Sequence, residues 1–463
     1  MGTVLQGGTV VTAADTYQAD VRMEEGKVVA VGRRIIEDGD TVLDVNGCYL
    51  FPGGIDPHTH FDLPVGTMRT ADDFASGTRA ALLGGTTTVI DYATQFRGET
   101  LQQGLQNWHD RAQGQAYTDY GFHLAVTDWS DTVAADMAAL ARYDGITSFK
   151  LYMAYKNVLQ VPDSILFAAF RQAALCGALI CLHCENGDVI DVLVREALEQ
   201  GRNAPVNHAL CRPEVAEEEA ARRAILLAGL AKARLYIVHL TCGGALEAVR
   251  EARAAGQSVW AETCPQYLLL DDTYYAGGGF EGAKYVISPP LRNKENHSLL
   301  WRGLADGTVA TVATDHCSFN FSGQKDAGRH DFSMIPNGMP GVETRLGLLF
   351  TYGVGRGHIS LNHFVALTST NAARLFGLYP QKGTIAVGSD ADITVWNPRD
   401  EILITAAAQA QRVDYSPFEG FKQQGRAEHV FLRGRQVVDR GILLDPQPYG
   451  RFFPRQTFVS GGC

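Results

Sequence analysis

Ile55-Asp-Pro-His-Thr-His60 closes an early apolar run of the chain with two histidines placed two residues apart. Side chains at i and i+2 of a strand point to one face, so His58 and His60 can grip one ion together. Working outward along the chain, comparable runs end in other polar groups. Lys150 lies in Ile146-Thr-Ser-Phe-Lys-Leu-Tyr-Met153, His183 closes Ala178-Leu-Ile-Cys-Leu-His183, His239 closes Leu235-Tyr-Ile-Val-His239, and Asp315 closes Val312-Ala-Thr-Asp315. Nitrogen and carboxylate donors of this kind are what a hard or borderline divalent metal takes.

The strands that carry these groups belong to a longer series. Strand patterns cover 54–60, 87–92, 121–126, 148–153, 179–185, 235–241, 259–264 and 309–315, and helical patterns such as 73–83, 163–176, 214–230 and 244–255 separate most of them. Alternation of this type gives a (β/α)8 barrel or a doubly wound open sheet. The ligand candidates decide between the two. They sit near the C-terminal ends of the first, fourth, fifth, sixth and eighth strands, which converge at one mouth only if the sheet closes.

The chain ends read differently. Short strands separated by Gly- and Asp-containing turns fill the first 50 residues, and Gly388-Ser-Asp-Ala-Asp-Ile-Thr-Val-Trp396 and Ala427-Glu-His-Val-Phe-Leu-Arg-Gly-Arg435 repeat the style. The expected organisation is therefore an α/β barrel over 51–375 and a smaller β-sandwich built from 1–50 and 376–440. A tail over 441–463 follows.

Composition excludes several classes of function. A net charge of −11 without a Lys/Arg-rich run argues against nucleic acid and against an anionic membrane surface. No apolar run reaches the roughly 18 residues of a membrane span, and the start lacks a leader pattern, so the expected place is the cytoplasm. Nine scattered cysteines, mostly inside apolar runs, fit reduced core thiols. Cys181 and Cys184 form a C-x-x-C but fall on opposite faces of one strand, which fits packing better than redox chemistry.

Lys150 is the least expected residue, because the inward face of a barrel strand holds an ammonium only at a cost. It either snorkels to the rim, pairs with a carboxylate, or becomes an anion by carboxylation and bridges two cations. Asp315 reads as a ligand, a general base, both, or a helix cap.

Taken together, the motifs resemble a known family. Phe51-Pro-Gly-Gly-Ile-Asp-Pro-His-Thr-His60, Ser148-Phe-Lys-Leu-Tyr-Met-Ala-Tyr-Lys156, His183-Cys-Glu-Asn186, Glu262-Thr-Cys-Pro-Gln-Tyr267, Ser288-Pro-Pro-Leu-Arg292, Thr314-Asp-His-Cys317 and Ile335-Pro-Asn-Gly338 are similar to the dihydropyrimidinases and D-hydantoinases. These form the cyclic-amide branch of the amidohydrolase superfamily, and the likeness runs from about residue 3 to residue 450. The resemblance implies two zinc ions, one held by His58, His60 and Asp315 and the other by His183 and His239. An N6-carboxylated Lys150 and a hydroxide would bridge them. It also implies that Tyr155 hydrogen-bonds the developing oxyanion, that Ser288 and Asn337 hold the cyclic amide through backbone groups, and that Asp315 relays the proton. The tail of such relatives packs on a neighbouring subunit, which implies a homotetramer.

For substrate choice the resemblance is informative in two ways. Dihydroorotases and allantoinases usually carry an arginine soon after H-x-H, suited to a carboxylate; here none precedes Arg69. A neutral ring, dihydropyrimidine or hydantoin, is favoured. The side pocket for a 5-substituent would draw on Leu63, Thr94, Tyr152, Leu159 and Cys317, where Thr94, Tyr152 and Leu159 depart from the bulkier apolar residues common in D-hydantoinases. Scaffold relatives such as the collapsin response mediator proteins have lost metal ligands, whereas all six positions are intact here.

Overall fold

The computed structural model describes residues 1–444 and 447–457; Phe458 and the rest of the expected tail to Cys463 lie outside the described residues. The apolar runs become parallel strands at Gly54–Thr59, Thr86–Thr94, Asp119–Ala125, Ser148–Tyr152, Leu179–His183, Arg234–Ile237, Val259–Thr263 and Thr311–Val312. They are hydrogen-bonded in that order. Leu179–His183 shows why such runs carry so few polar residues: it is buried along its whole length. Cys181 packs inward with Ile55 and Tyr236, while Ile180 and Leu182 face the main core beneath the helices.

The helices lie where the periodicity places them. Asp163–Cys176 and Glu214–Ala231 match their patterns, and Gly243–Ala254 is displaced by one residue. Phe74–Leu83 begins after Asp73, whose carboxylate caps it by accepting from the Ser76 amide while Ser76 reciprocates.

The eighth strand is shorter than its sequence pattern. Instead of 309–315 it pairs only at Thr311–Val312, because Asp315 turns into the left-handed region (φ 53°) and Thr314 gives its amide and hydroxyl to Asp56 at 3.2 and 2.6 Å. Closure onto the first strand rests on other contacts. Thr59 bridges His316, and the His60 amide donates to the His316 carbonyl at 2.9 Å. The wholly buried guanidinium of Arg345 donates to the carbonyls of Ile55 and Val312, both at 2.9 Å, and to Thr86 Oγ1 at 3.0 Å.

Both ends of the chain build the smaller domain. One sheet of four strands is wholly N-terminal: Thr3–Gln6, Asp20–Glu24, Lys27–Gly32 and Thr41–Asp44. The other joins Thr9–Val11, Thr16–Gln18 and Tyr49–Pro52 to Ile393–Leu403, Lys422–Leu432, Arg435–Asp439 and Ile442–Leu443. Its seam is the antiparallel pairing of Tyr49–Pro52 with Ile393–Trp396. Leu5, Val10, Val21, Leu50, Ile393, Val395 and Phe431 pack together in the domain's core.

The tail docks on its own barrel. The Gly450, Phe453 and Arg455 amides donate to Ala116, Tyr120 and Gly145 carbonyls at 2.9, 2.7 and 3.1 Å. Arg455 is buried against the start of the fourth strand and donates to Ser148 Oγ at 2.8 Å. Gly377 makes room for this: its φ is 75°, and a Cβ there would lie 1.8 Å from the Gln456 carbonyl oxygen.

Arg345→Leu is expected to destabilise the fold by about 3–5 kcal/mol, because it leaves Asp56 as a buried charge without its countercharge and two carbonyls without donors. The readout is a lower midpoint in urea unfolding.

Candidate active site

Each candidate ligand is placed by the way its strand ends. His58 lies within the first strand and His60 just beyond it, their rings 5.2 Å apart. Asp315 reaches them across the seam, with Oδ1 3.2 Å from Nε2 of each histidine. His183 is the last residue of the fifth strand, and His239 follows the sixth in a left-handed turn (φ 39°). His183 Nδ1 lies 3.0 Å from His239 Nε2, and the rings of His58 and His239 are 5.4 Å apart. The two groups therefore stand side by side.

Lys150 stands between them. Its Nζ lies over the faces of Tyr92 and Tyr152 at 4.6 and 5.1 Å, and among the described residues it makes no ion pair. Tyr92 in turn packs on His58 and Tyr152 on His183, with ring centroids at 4.5 and 5.9 Å. Burial pushes the Lys150 ammonium down to about 8. Burial also holds the imidazoles of His58 and His239 neutral. It would raise the Asp315 carboxyl as well, but contact with the His58 and His60 rings and the nearby Lys150 hold it below the usual carboxylate range.

Carboxylates behind the histidines set their orientation. Glu262 Oε1 meets His58 Nδ1 and accepts from the His239 amide at 3.1 Å, while Tyr236 donates to Oε2 at 2.7 Å. Burial pushes Glu262 up to about 8 against those donors. Glu185 Oε2 lies 2.8 Å from His183 Nε2. Pairing of this type leaves the opposite ring nitrogen free to face an ion. Glu262 and Glu185 were given no role in the sequence reading, although Val259-Trp-Ala-Glu-Thr-Cys264 has the signature used for the ligands, a polar group ending a buried strand.

The donor set fits divalent metal. His58 Nε2 is a buried nitrogen without a hydrogen-bond partner; with His60 Nε2 it turns to one Asp315 oxygen, while His183 Nδ1 turns to His239 Nε2, and nitrogens grouped in this way suit an ion. The ligand atoms of His58, His60 and Asp315 lie within 4.8 Å of one another. A second close group, Asp119, Asp390 and Asp392, is already neutralised by Lys382, Lys27 and Arg433 and is a structural ion cluster.

Beside the ligands is a set of polar groups. The Tyr155 ring lies 5.2 Å from His183, in a loop with φ of 66° at Tyr155 itself. Ser288 hydrogen-bonds to Tyr155 and accepts from Asn337 Nδ2 at 3.1 Å. Burial pushes the Tyr155 hydroxyl up, so it stays a donor. Tyr155 and Asn337 line a cavity of 160 Å³ together with Glu185 and Arg212. Of the side-pocket candidates, Tyr152 lies against Tyr155 and the Leu159 amide bonds to the Tyr155 carbonyl at 3.0 Å. Leu63, Thr94 and Cys317 are held at the same barrel end by Thr70, Tyr92 and Met339. Burial raises the Cys317 thiol, which suits packing.

Residues 49–437 match the Amidohydrolase family. This chain belongs to that family. Within it, the chain falls among the D-hydantoinases and dihydropyrimidinases. It is 48% identical over 458 residues to a D-hydantoinase of Geobacillus stearothermophilus, covering 99% of this chain and 97% of the relative. It is 41% identical to a dihydropyrimidinase of Rattus norvegicus, covering 99% and 89%. The crystal structure of dihydropyrimidinase from Brevibacillus agri NCHU1002 superposes with a TM-score of 0.99 at 49% identity over the full length of both chains.

Glu262→Gln is expected to weaken divalent-metal binding about 10- to 100-fold by loosening His58. Competition with a chelator of known affinity reads this directly.

Proposed function

We propose that the hydrolase opens the ring of neutral cyclic amides, 5,6-dihydropyrimidines and 5-substituted hydantoins, to N-carbamoyl amino acids. The observation that carries this reading is the convergence of the imidazoles of His58, His60, His183 and His239 with Asp315 and a buried Lys150 that makes no ion pair among the described residues, beside the Tyr155, Ser288 and Asn337 cluster. The names of its relatives, D-hydantoinase and dihydropyrimidinase, support the substrate class.

His58, His60 and Asp315 would hold one zinc ion and His183 with His239 a second, Lys150 reaching both as its carboxylated form. A buried ammonium there would repel two cations, whereas the carbamate made by adding carbon dioxide to the amine attracts them. When bound, the ions lower the pKa of a water towards about 7 and polarise the ring carbonyl.

The chain's own groups do the rest. Asp315 takes the proton of the attacking water and passes it to the ring nitrogen as the C–N bond breaks. Tyr155 donates to the carbonyl oxygen as charge develops on it. Ser288 and Asn337 offer backbone groups to the amide and fix its register.

An anionic ring is disfavoured by what surrounds the mouth. Arg69, the first arginine after the histidine pair, is exposed and paired with Asp62 at 2.8 Å. Arg69 is thereby engaged and not free to recognise a carboxylate as dihydroorotate requires. The eight described cysteines are all free thiols and no helix among the described residues can span a membrane, which supports a cytoplasmic enzyme. The proposed assembly is a homotetramer, and light scattering is expected to give the mass of four chains.

Zinc-loaded protein is expected to open dihydrouracil and hydantoins and to leave dihydroorotate and allantoin intact; turnover of the latter pair alone would overturn the reading. Chelation should abolish activity and zinc restore it. Lys150→Ala should be inactive, Tyr155→Phe should lower kcat by about 10²–10³, and Asp315→Asn by about 10²–10⁴. A carbamate carbon resonance in ¹³C NMR after bicarbonate labelling, absent from Lys150→Ala, checks the modification.

A further inference from the structure

Lys325 is wholly buried, yet among the described residues it makes no ion pair. Its Nζ donates instead to two backbone carbonyls, those of Val286 and Pro336, both at 2.9 Å. Val286 stands two residues before Ser288, and Pro336 immediately precedes Asn337. One ammonium therefore joins two loops that are far apart in sequence and that carry the backbone groups proposed to hold the cyclic amide.

An ammonium is an expensive way to fill a core position, and a methionine of similar length would avoid the desolvation. Burial pushes Lys325 down to about 7, which records that expense. What a methionine lacks is several donors at the end of a long arm. The arm is also anchored from behind. Lys325 donates its own amide to the Asn320 carbonyl at 2.9 Å, and the neighbouring Phe321 and Ser322 amides bond to Asp414 of the sandwich domain at 2.6 and 2.9 Å.

Among the described residues one other backbone bond helps the lysine at this junction, from the Gly338 amide to the Val286 carbonyl at 3.0 Å. Gly338 has φ of 146°, and a Cβ there would lie 2.2 Å from the Cys317 carbonyl oxygen. The loop bearing Asn337 is thus squeezed between the Asp315–Cys317 turn and the Ser288 loop, with Lys325 at the point where they meet.

We infer that Lys325 is a positioning residue that sets the spacing between the Ser288 and Asn337 loops and so the register in which the ring amide is held. This rests on the substrate reading proposed above. Asp315 and the metal ligands stand on other strand ends, and Tyr155 meets the clamp only through Ser288, so loosening the clamp weakens substrate binding more than the chemical step.

The test compares metal-loaded wild type with Lys325→Met. On hydantoin and dihydrouracil the variant is expected to show KM raised about tenfold or more, kcat within about threefold, and unchanged zinc content. Hydrogen exchange should quicken in the segments 286–291 and 335–340 and be unchanged around His58, His183 and His239. An active variant with wild-type KM overturns the inference, as does unchanged exchange in both segments. Should Lys325→Met not fold, Lys325→Gln, whose polar head cannot reach both carbonyls, carries the same two measurements. If wild type opens no ring at all, the proposed function fails, and the exchange data alone decide whether the clamp exists.

Discussion

A cylinder of parallel strands has one weak place, where the last strand must meet the first without a turn to guide it. Here that seam has two paired residues on its short side, Thr311 and Val312, and the first strand on the other. Arg345 spans the gap with hydrogen bonds to a carbonyl on each side. Asp56 adds a second stitch by accepting from both the amide and the hydroxyl of Thr314. The chemistry depends on this closure, because His58 and His60 come from one lip and Asp315 from the other. If the seam opened, the metal site would lose its carboxylate and keep its histidines.

Backbone strain and buried carboxylates share the task of aiming ligands once the barrel is closed. His239 and Asp315 both take left-handed conformations, which cost about 1–3 kcal/mol for residues other than glycine. The distortion has a direct use at His239, whose amide turns towards Glu262. Glu262 thereby touches two ligands, one through a ring nitrogen and one through the backbone. Tyr236 holds the far oxygen of the same carboxylate, so the aim of His58 is set by contacts that run through the sixth and seventh strands.

The candidate ligands stand out in the sequence because each interrupts or ends an apolar run that has no packing use for it. Glu262 has the same signature, but whether a carboxylate meets an ion or a ring nitrogen depends on which way an imidazole is turned, and spacing does not carry that information. Lys325 and Arg345 were invisible for another reason. They sit in a single turn and a one-turn helix, with no periodicity to mark them as buried, and their partners are main-chain carbonyls that every residue possesses. The eighth strand is shorter than Val309-Ala-Thr-Val-Ala-Thr-Asp315 suggests because that stretch has strand composition throughout, while the departure at Thr314 is caused by Asp56 on the first strand, across the seam.

The sandwich sheet has a consequence for how the chain is made. Tyr49–Pro52 finds its antiparallel partner in Ile393–Trp396, which a ribosome working at roughly 5–20 residues per second delivers on the order of twenty to seventy seconds later. During that interval the aromatic and aliphatic edge of Tyr49, Leu50 and Phe51 stands without its neighbour, and an unpaired edge is a template for the wrong one. The nascent protein thus spends most of its synthesis with its first domain half built. Its yield in a cell is set by what shields that edge on the polysome as much as by the stability of the finished enzyme.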